Sequence, residues 1–267
     1  MTVSPNLSEL LQQGHDQLDG GNYHQALDTF YQAAALEPQN PQVLYGLGLA
    51  CYRLEQYQDT IGYCNQALTI EPNYILALAR RGLTYKQLEQ AQLAQTDFEQ
   101  VIALTPQDAE DWQGRGLALD ELERYEEAIA FYDQAIQIKP NYHNAWYSRG
   151  NSLYDLGRYE EAIASYDKAI EIKTGYHHAW YSRGITLRNL GRYEEAIASY
   201  DKVIEIKPDF YGAWHNRGIG LENLGRYEEA IISYDKVIEI KPDYHYVWNS
   251  LGSVLWNLGR YEEAREH

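Results

Sequence analysis

Between residues 159 and 173 apolar side chains recur at helical spacing. Tyr159, Ala162, Ile163, Tyr166, Ala169, Ile170 and Ile172 fall mostly three or four apart, which places them on one face of an α-helix. Glu160 and Glu161 near its start and Lys173 near its end suit the helix dipole. The whole segment, Gly157–Lys173 (GRYEEAIASYDKAIEIK), returns as Gly191–Lys207 and Gly225–Lys241, more loosely as Glu123–Lys139, and as a fragment at Gly259–Glu263. A short helix of this kind cannot bury its apolar face alone. The preceding stretch Ala145–Leu156 (AWYSRGNSLYDL) supplies a partner helix, so the pattern predicts helix pairs.

The pairs recur on a strict period. Gly14, Gly48, Gly82, Gly116, Gly150, Gly184, Gly218 and Gly252 stand 34 residues apart. Twelve residues after each glycine come Ala26, Thr60, Ala94, Ala128, Ala162, Ala196, Ala230 and Ala264, and twelve further come Pro38, Pro72, Pro106, Pro140, Thr174, Pro208 and Pro242. Trp112, Trp146, Trp180, Trp214 and Trp248 precede their glycines by four. Small residues at the glycine and alanine columns let two helices approach, aromatic rings fill the space around them, and the proline ends the second helix.

This order of Trp, Gly, Tyr, Ala and Pro resembles the tetratricopeptide repeat. The resemblance runs in register over residues 7–267 without an insertion. It implies an all-α fold: a right-handed superhelix (an α-solenoid) of helix-turn-helix repeats forming a single array over residues 1–267. Seven repeats are complete (7–40, 41–74, 75–108, 109–142, 143–176, 177–210 and 211–244), and an eighth, 245–267, is truncated. Sixteen helical segments are expected, the last cut short at Arg265-Glu266-His267, which leaves an open C-terminal end for continuation or for self-association into a homo-oligomer. The copied unit is similar to the long tandem arrays of bacteria, cyanobacteria especially.

Repeats 1–3 are Gln-rich and diverged, whereas repeats 4–8 are near copies. Recent duplication accounts for the copies, and a partner-specific surface in the first half is the competing reading. Where the family usually has Leu just before the glycine, this chain has Arg81, Arg115, Arg149, Arg183 and Arg217, with Glu99, Asp133, Asp167, Asp201 and Asp235 eighteen residues later. Repeats 1 and 2 lack both members. That co-occurrence predicts an ion pair joining the two helices of one repeat.

Composition narrows the function. The 22 Lys+Arg against 39 Asp+Glu give a net charge of -17, which disfavours a nucleic-acid partner. No apolar run reaches membrane-spanning length, and Met1–Asn6 is too short and polar for a signal peptide. Two cysteines, Cys51 and Cys64, form no disulfide framework and suit a reducing cytoplasm. They are expected to face each other as core thiols.

No catalytic set stands out, and neither a cofactor nor a metal site is expected. The doublets Glu126-Glu127, Glu160-Glu161, Glu194-Glu195 and Glu228-Glu229 recur at helix starts as a solvated face. His143, His177, His178 and His245 lie near turns mostly a repeat apart, too far to converge on zinc. An enzyme is therefore not expected.

The resemblance also implies a concave surface lined by the first helix of each pair. Its positions hold Tyr45, Leu49, Tyr52, Leu83, Lys86, Leu117, Tyr147, Asn151, Tyr154, Tyr181, Ile185, Arg188, Asn189, His215, Ile219 and Asn223. Apolar residues in register form an anchor site for a protein or peptide, and Asn can hold its backbone. The Lys/Asn clamp that some co-chaperone members use for a C-terminal carboxylate is absent, since Asn151 is preceded at the clamp position by Tyr147. The implied function is a non-catalytic protein-interaction scaffold. The alternatives are a regulatory arm of a kinase, protease or transferase, or a self-assembly module.

Overall fold

A computed structural model describes residues 6–264, so the chain ends named above, Met1–Pro5 and Arg265–His267, lie outside the described residues. Sixteen α-helices follow one another, and among the described residues there is no strand. The odd-numbered helices are α1 (Leu7–Asp19), α3 (Pro41–Arg53), α5 (Ile75–Gln87), α7 (Ala109–Glu121), α9 (His143–Asp155), α11 (His177–Asn189), α13 (Tyr211–Asn223) and α15 (His245–Asn257). The even-numbered ones are α2 (Tyr23–Leu36), α4 (Tyr57–Ile70), α6 (Ala91–Ala103), α8 (Tyr125–Ile138), α10 (Tyr159–Ile172), α12 (Tyr193–Ile206), α14 (Tyr227–Ile240) and α16 (Tyr261–Ala264). Each odd helix begins on the first residue of a repeat as read from the sequence.

The helices form two compact units, α1–α9 (Met1–Leu156) and α10–α16 (Gly157–His267). Within each, a helix packs on its neighbours in sequence. Odd helices also touch the next odd helix, α1 on α3, α3 on α5, α5 on α7 and α7 on α9 in the first unit, α11 on α13 and α13 on α15 in the second. Among the described residues no two even helices of a unit make a comparable contact. The odd helices are therefore the inner layer of each unit and the even helices the outer one.

The turn from odd to even helix is a Schellman motif. In the sixth repeat Gly191 N–H donates to Arg188 O at 2.9 Å and Arg192 N–H to Leu187 O at 2.9 Å. The motif needs a left-handed residue, and Gly191 supplies it with φ +73°. Equivalent positions hold Gly21, Gly157, Gly225 and Gly259, but in repeats 2–4 they hold Glu55, Glu89 and Glu123, at φ 60°, 58° and 58°. These three residues carry a steric cost that glycine avoids.

Within a repeat the close approach is made by glycine against a ring. A Cβ at Gly218 would lie 2.4 Å from Tyr234 Cε1, and at Gly184 2.5 Å from Tyr200 Cε1. Phe30 and Phe98 fill the same place over Gly14 and Gly82. All four rings are buried at 3% exposure or less. In repeat 2 the ring is replaced by Cys64, whose Sγ would sit 3.5 Å from a Cβ on Gly48. The tryptophans add a hydrogen bond to their packing: Trp146, Trp180 and Trp214 donate Nε1–H to Pro140 O, Thr174 O and Pro208 O at 3.0, 3.0 and 2.9 Å. Each indole thereby fixes the turn that leads into its own repeat.

The arginine column holds its acids differently from the sequence expectation. Arg149 pairs with Asp133 at 2.7 Å, Arg183 with Asp167 at 2.6 Å and Arg217 with Asp201 at 2.7 Å. Each acid is sixteen residues earlier, in the preceding repeat. The residue facing back from the arginine's own repeat is a serine, with Arg183 Nη1–H donating to Ser199 Oγ and Arg217 Nη1–H to Ser233 Oγ, both at 2.7 Å. The reason is helical phase: the acid lies two residues beyond that serine, about 200° further around the helix, so it faces the next repeat. Arg183 and Arg217 thus staple outer helices of consecutive repeats to the inner helix between them. Arg81 is an exception, bidentate to Asp97 in its own repeat (2.8 and 2.6 Å) while also donating to Asn65. Arg115 pairs with no acid among the described residues, donating instead to Leu104 O and lying 4.6 Å from the Phe131 ring centroid. There α6 ends early, and Gly114 admits Ile75 and Leu76 of α5 against α7.

Candidate partner-binding surface

The expected groove residues all lie on odd helices, hence on the inner layer. Most are half-buried; Lys86, Asn189 and Asn223 are exposed. In the first unit Leu49 and Leu83 lean on the cores beneath them. Tyr45 meets Tyr74 edge-on at 5.7 Å, and Tyr52 lies under the Arg80 guanidinium at 4.6 Å. Lys86 is engaged by Glu121 at 2.7 Å. Leu117, Tyr147, Asn151 and Tyr154 are half-buried on α7 and α9.

Two features of this inner layer escaped the sequence reading. His143 on α9 meets Asp19 on α1, Nε2 to Oδ2 2.8 Å, across 124 residues of sequence. Tyr142, beside it, donates its hydroxyl to Gln113 Oε1 at 2.8 Å. The second feature is Asp120, which accepts from Tyr132 Oη–H and Ser152 Oγ–H at 2.6 Å each. Burial pushes its carboxyl up to about 7 despite those two donors. A signal for this site was present: where the ring over the glycine is Tyr rather than Phe, its hydroxyl needs a buried partner. Glu222 plays that part for Tyr234 at 3.1 Å.

In the second unit Tyr181, Ile185, Arg188, His215, Ile219 and Asn223 line α11 and α13. Tyr181 packs edge-on against Phe210 at 4.9 Å. Arg188 donates to Asn216 Oδ1, and the Asn216 amide donates to Tyr181 Oη at 2.8 Å and Gly212 O at 2.9 Å. Asn223 likewise turns its amide onto its own helix, to Ile219 O at 2.8 Å. Burial, then the charge of Arg188, lowers the pKa of His215, keeping it neutral near pH 7.

Elsewhere the second glutamate of each outer doublet is held by the arginine three residues before it, as in Arg158–Glu161 at 2.6 Å. Cys51 and Cys64 are buried free thiols whose pKa values burial raises to about 11 and about 12. Among the described residues no group of three or more His, Cys, Asp or Glu side chains is placed to hold a metal ion.

Family models meet this architecture over most of its length. Models described as tetratricopeptide repeat match residues 11–75, 76–108, 143–174 and 178–210, and one described as TPR repeat matches 116–157 and 223–259. The chain belongs to the tetratricopeptide-repeat family. No curated protein matches the sequence. Among solved structures, one titled as the crystal structure of the APC/C hetero-tetramer Cut9-Hcn1 superposes with a TM-score of 0.68 at 12% identity, over 94% of this chain and 49% of that one. Another, titled MamA RS-1 ArsTM double mutant, superposes with a TM-score of 0.58 at 21% identity, over 61% of this chain and 92% of that one. At these identities the likeness is one of fold. This chain therefore spans about half the length of the Cut9-Hcn1 chain that it resembles. As a tetratricopeptide-repeat protein it has its family's glycine and alanine columns. Among the described residues no helix is long and apolar enough to cross a membrane.

Proposed function

We propose that this tetratricopeptide-repeat protein is an interaction scaffold that holds a peptide segment of a partner protein against its inner helices and performs no chemistry of its own. The observation that carries this reading is the pair Ile185 and Ile219, equivalent residues on α11 and α13, both half-buried on the inner layer. A segment crossing the two helices meets the same apolar step twice, one helix apart. Buried free thiols fit a reducing compartment for the complex.

Panning the purified chain against a random peptide library tests the proposal. Selected peptides should lose at least tenfold in affinity, about 1.4 kcal/mol, when Ile185 and Ile219 are both changed to Ser. They should keep it when Glu160 and Glu161 on outer α10 are both changed to Gln. Selected peptides that respond only to the outer-helix change would refute the assignment.

A further inference from the structure

In the second unit every other described arginine is matched to a carboxylate: Arg158, Arg183, Arg192, Arg217, Arg226 and Arg260. Arg188 is not. It is half-buried on the inner face of α11, and its one hydrogen bond goes to a neutral atom, Asn216 Oδ1. Asn216 is 9% exposed and has no freedom to turn, because its amide is committed to Gly212 O and Tyr181 Oη. A guanidinium carries five N–H donors, so most of those of Arg188 find no acceptor among the described residues.

Tyr181 is in the same position. Its oxygen accepts from Asn216, and its own O–H proton has no acceptor among the described residues. Its pKa is raised by burial first of all, so the proton stays on the oxygen. His215, the residue beside Asn216, is kept neutral and shares its Nε2 with Ser250 Oγ at 3.3 Å. Glu222, the acid one turn beyond Ile219 on the same helix, is taken by Tyr234 and Ser253. A half-buried cation and a hydroxyl donor are therefore held on either side of one fixed amide, with no anion bonded to either among the described residues.

We propose that Arg188 and Tyr181, held by Asn216, form a subsite for the carboxylate of an acidic side chain within the bound segment. The subsite deepens the reading of the inner face as a peptide-binding surface and rests on it. A carboxylate is acceptor-only, carries one charge to match one arginine, and offers two oxygens, one for the guanidinium and one for the phenol. The partner is thus expected to present Glu or Asp at this point, although the protein itself is strongly acidic overall.

Two measurements keep the subsite and the groove separable. In the first, acetate and inorganic phosphate are titrated separately against the chain while the Arg188 Nε–H signal is followed by NMR. Acetate should shift that signal saturably, and the arginines already paired to carboxylates should not respond. No acetate response, or a response to phosphate alone, would overturn the proposal without touching the groove reading. In the second, N-acetylated and C-amidated peptide pools, identical except for a central Glu or Gln, are bound to the chain. The Glu pool should bind about tenfold more tightly, an effect of the size expected for a charge-assisted bond. That preference should vanish in Arg188→Gln, and equal binding of both pools would refute the subsite. Asn216→Asp serves as a second variant: its own carboxylate should occupy Arg188 and abolish the preference in a fully helical protein. A Glu preference that survives both substitutions would refute the assignment.

Discussion

The glycine column gives the sharpest test of the packing, because the same substitution should have opposite effects at two equivalent positions. In repeat 7 a Cβ at Gly218 would lie 2.4 Å from Tyr234 Cε1, whereas ordinary contact begins near 3.4 Å. The ring would have to move by about the difference, yet it is fully buried and its hydroxyl is bonded to Glu222. Overpacking of this kind costs ~1–3 kcal/mol. Replacing glycine by alanine inside a helix returns about 1 kcal/mol, so Gly218→Ala should be destabilising by up to about 2 kcal/mol. In repeat 2 the ring is absent, and a Cβ at Gly48 would meet Cys64 Sγ at 3.5 Å, an ordinary contact. There only the helix-propensity gain remains, and Gly48→Ala should stabilise by up to about 1 kcal/mol. Repeat arrays need not unfold in one step, so native-state hydrogen exchange is the better assay. Protection should fall in α13 and α14 for the first variant and rise in α3 and α4 for the second. Equal effects of the same sign at both glycines would refute the reasoning.

Three further outcomes follow from the geometry. Replacing Glu55, Glu89 or Glu123 by Gly should relieve the left-handed turn and raise stability by ~0.5–1 kcal/mol each in urea denaturation, while Gly191→Glu should lower it by a similar amount. Arg217→Met should cost about 1 kcal/mol or less, because Asp201 is half exposed and can be hydrated; Arg81→Met should cost about 3–5 kcal/mol, because Asp97 is left 4% exposed without its bidentate partner, and thermal unfolding of the two would separate them. Asp120 has a folded-state pKa raised from 3.8 to about 7, so its protonated form is favoured by folding, and the stability that it contributes is complete below about pH 4 and lost as pH rises through 7. Asp120→Asn should flatten that part of the stability–pH curve, and an unchanged slope would contradict the assignment.

The sequence by itself determined the parts of this protein that depend on neighbours along the chain. Apolar spacing, the proline column and the glycine column set the helices, their pairing and their period, because a helix end or a close helix contact leaves its mark within a few residues. The candidate inner positions came instead from the resemblance to the tetratricopeptide repeat, which assigns them by their place in the repeat. Which side chains meet on the inner face was decided in three dimensions. The arginines of repeats 5–7 were recognised as bridging residues, but the two-residue step from Ser199 to Asp201 turns the acid toward the following repeat. Asn223 read as a group available to a ligand, yet it spends its amide on its own chain, and so does Asn216 a few residues before it. Asp19 and His143 carry no mark of each other in the sequence, since their contact depends on the packing of every helix from α1 to α9. Arg188 was legible as an inner-face cation, whereas its lack of an acid could be read only from the tertiary structure, because whether a charge is paired depends on what the fold places beside it.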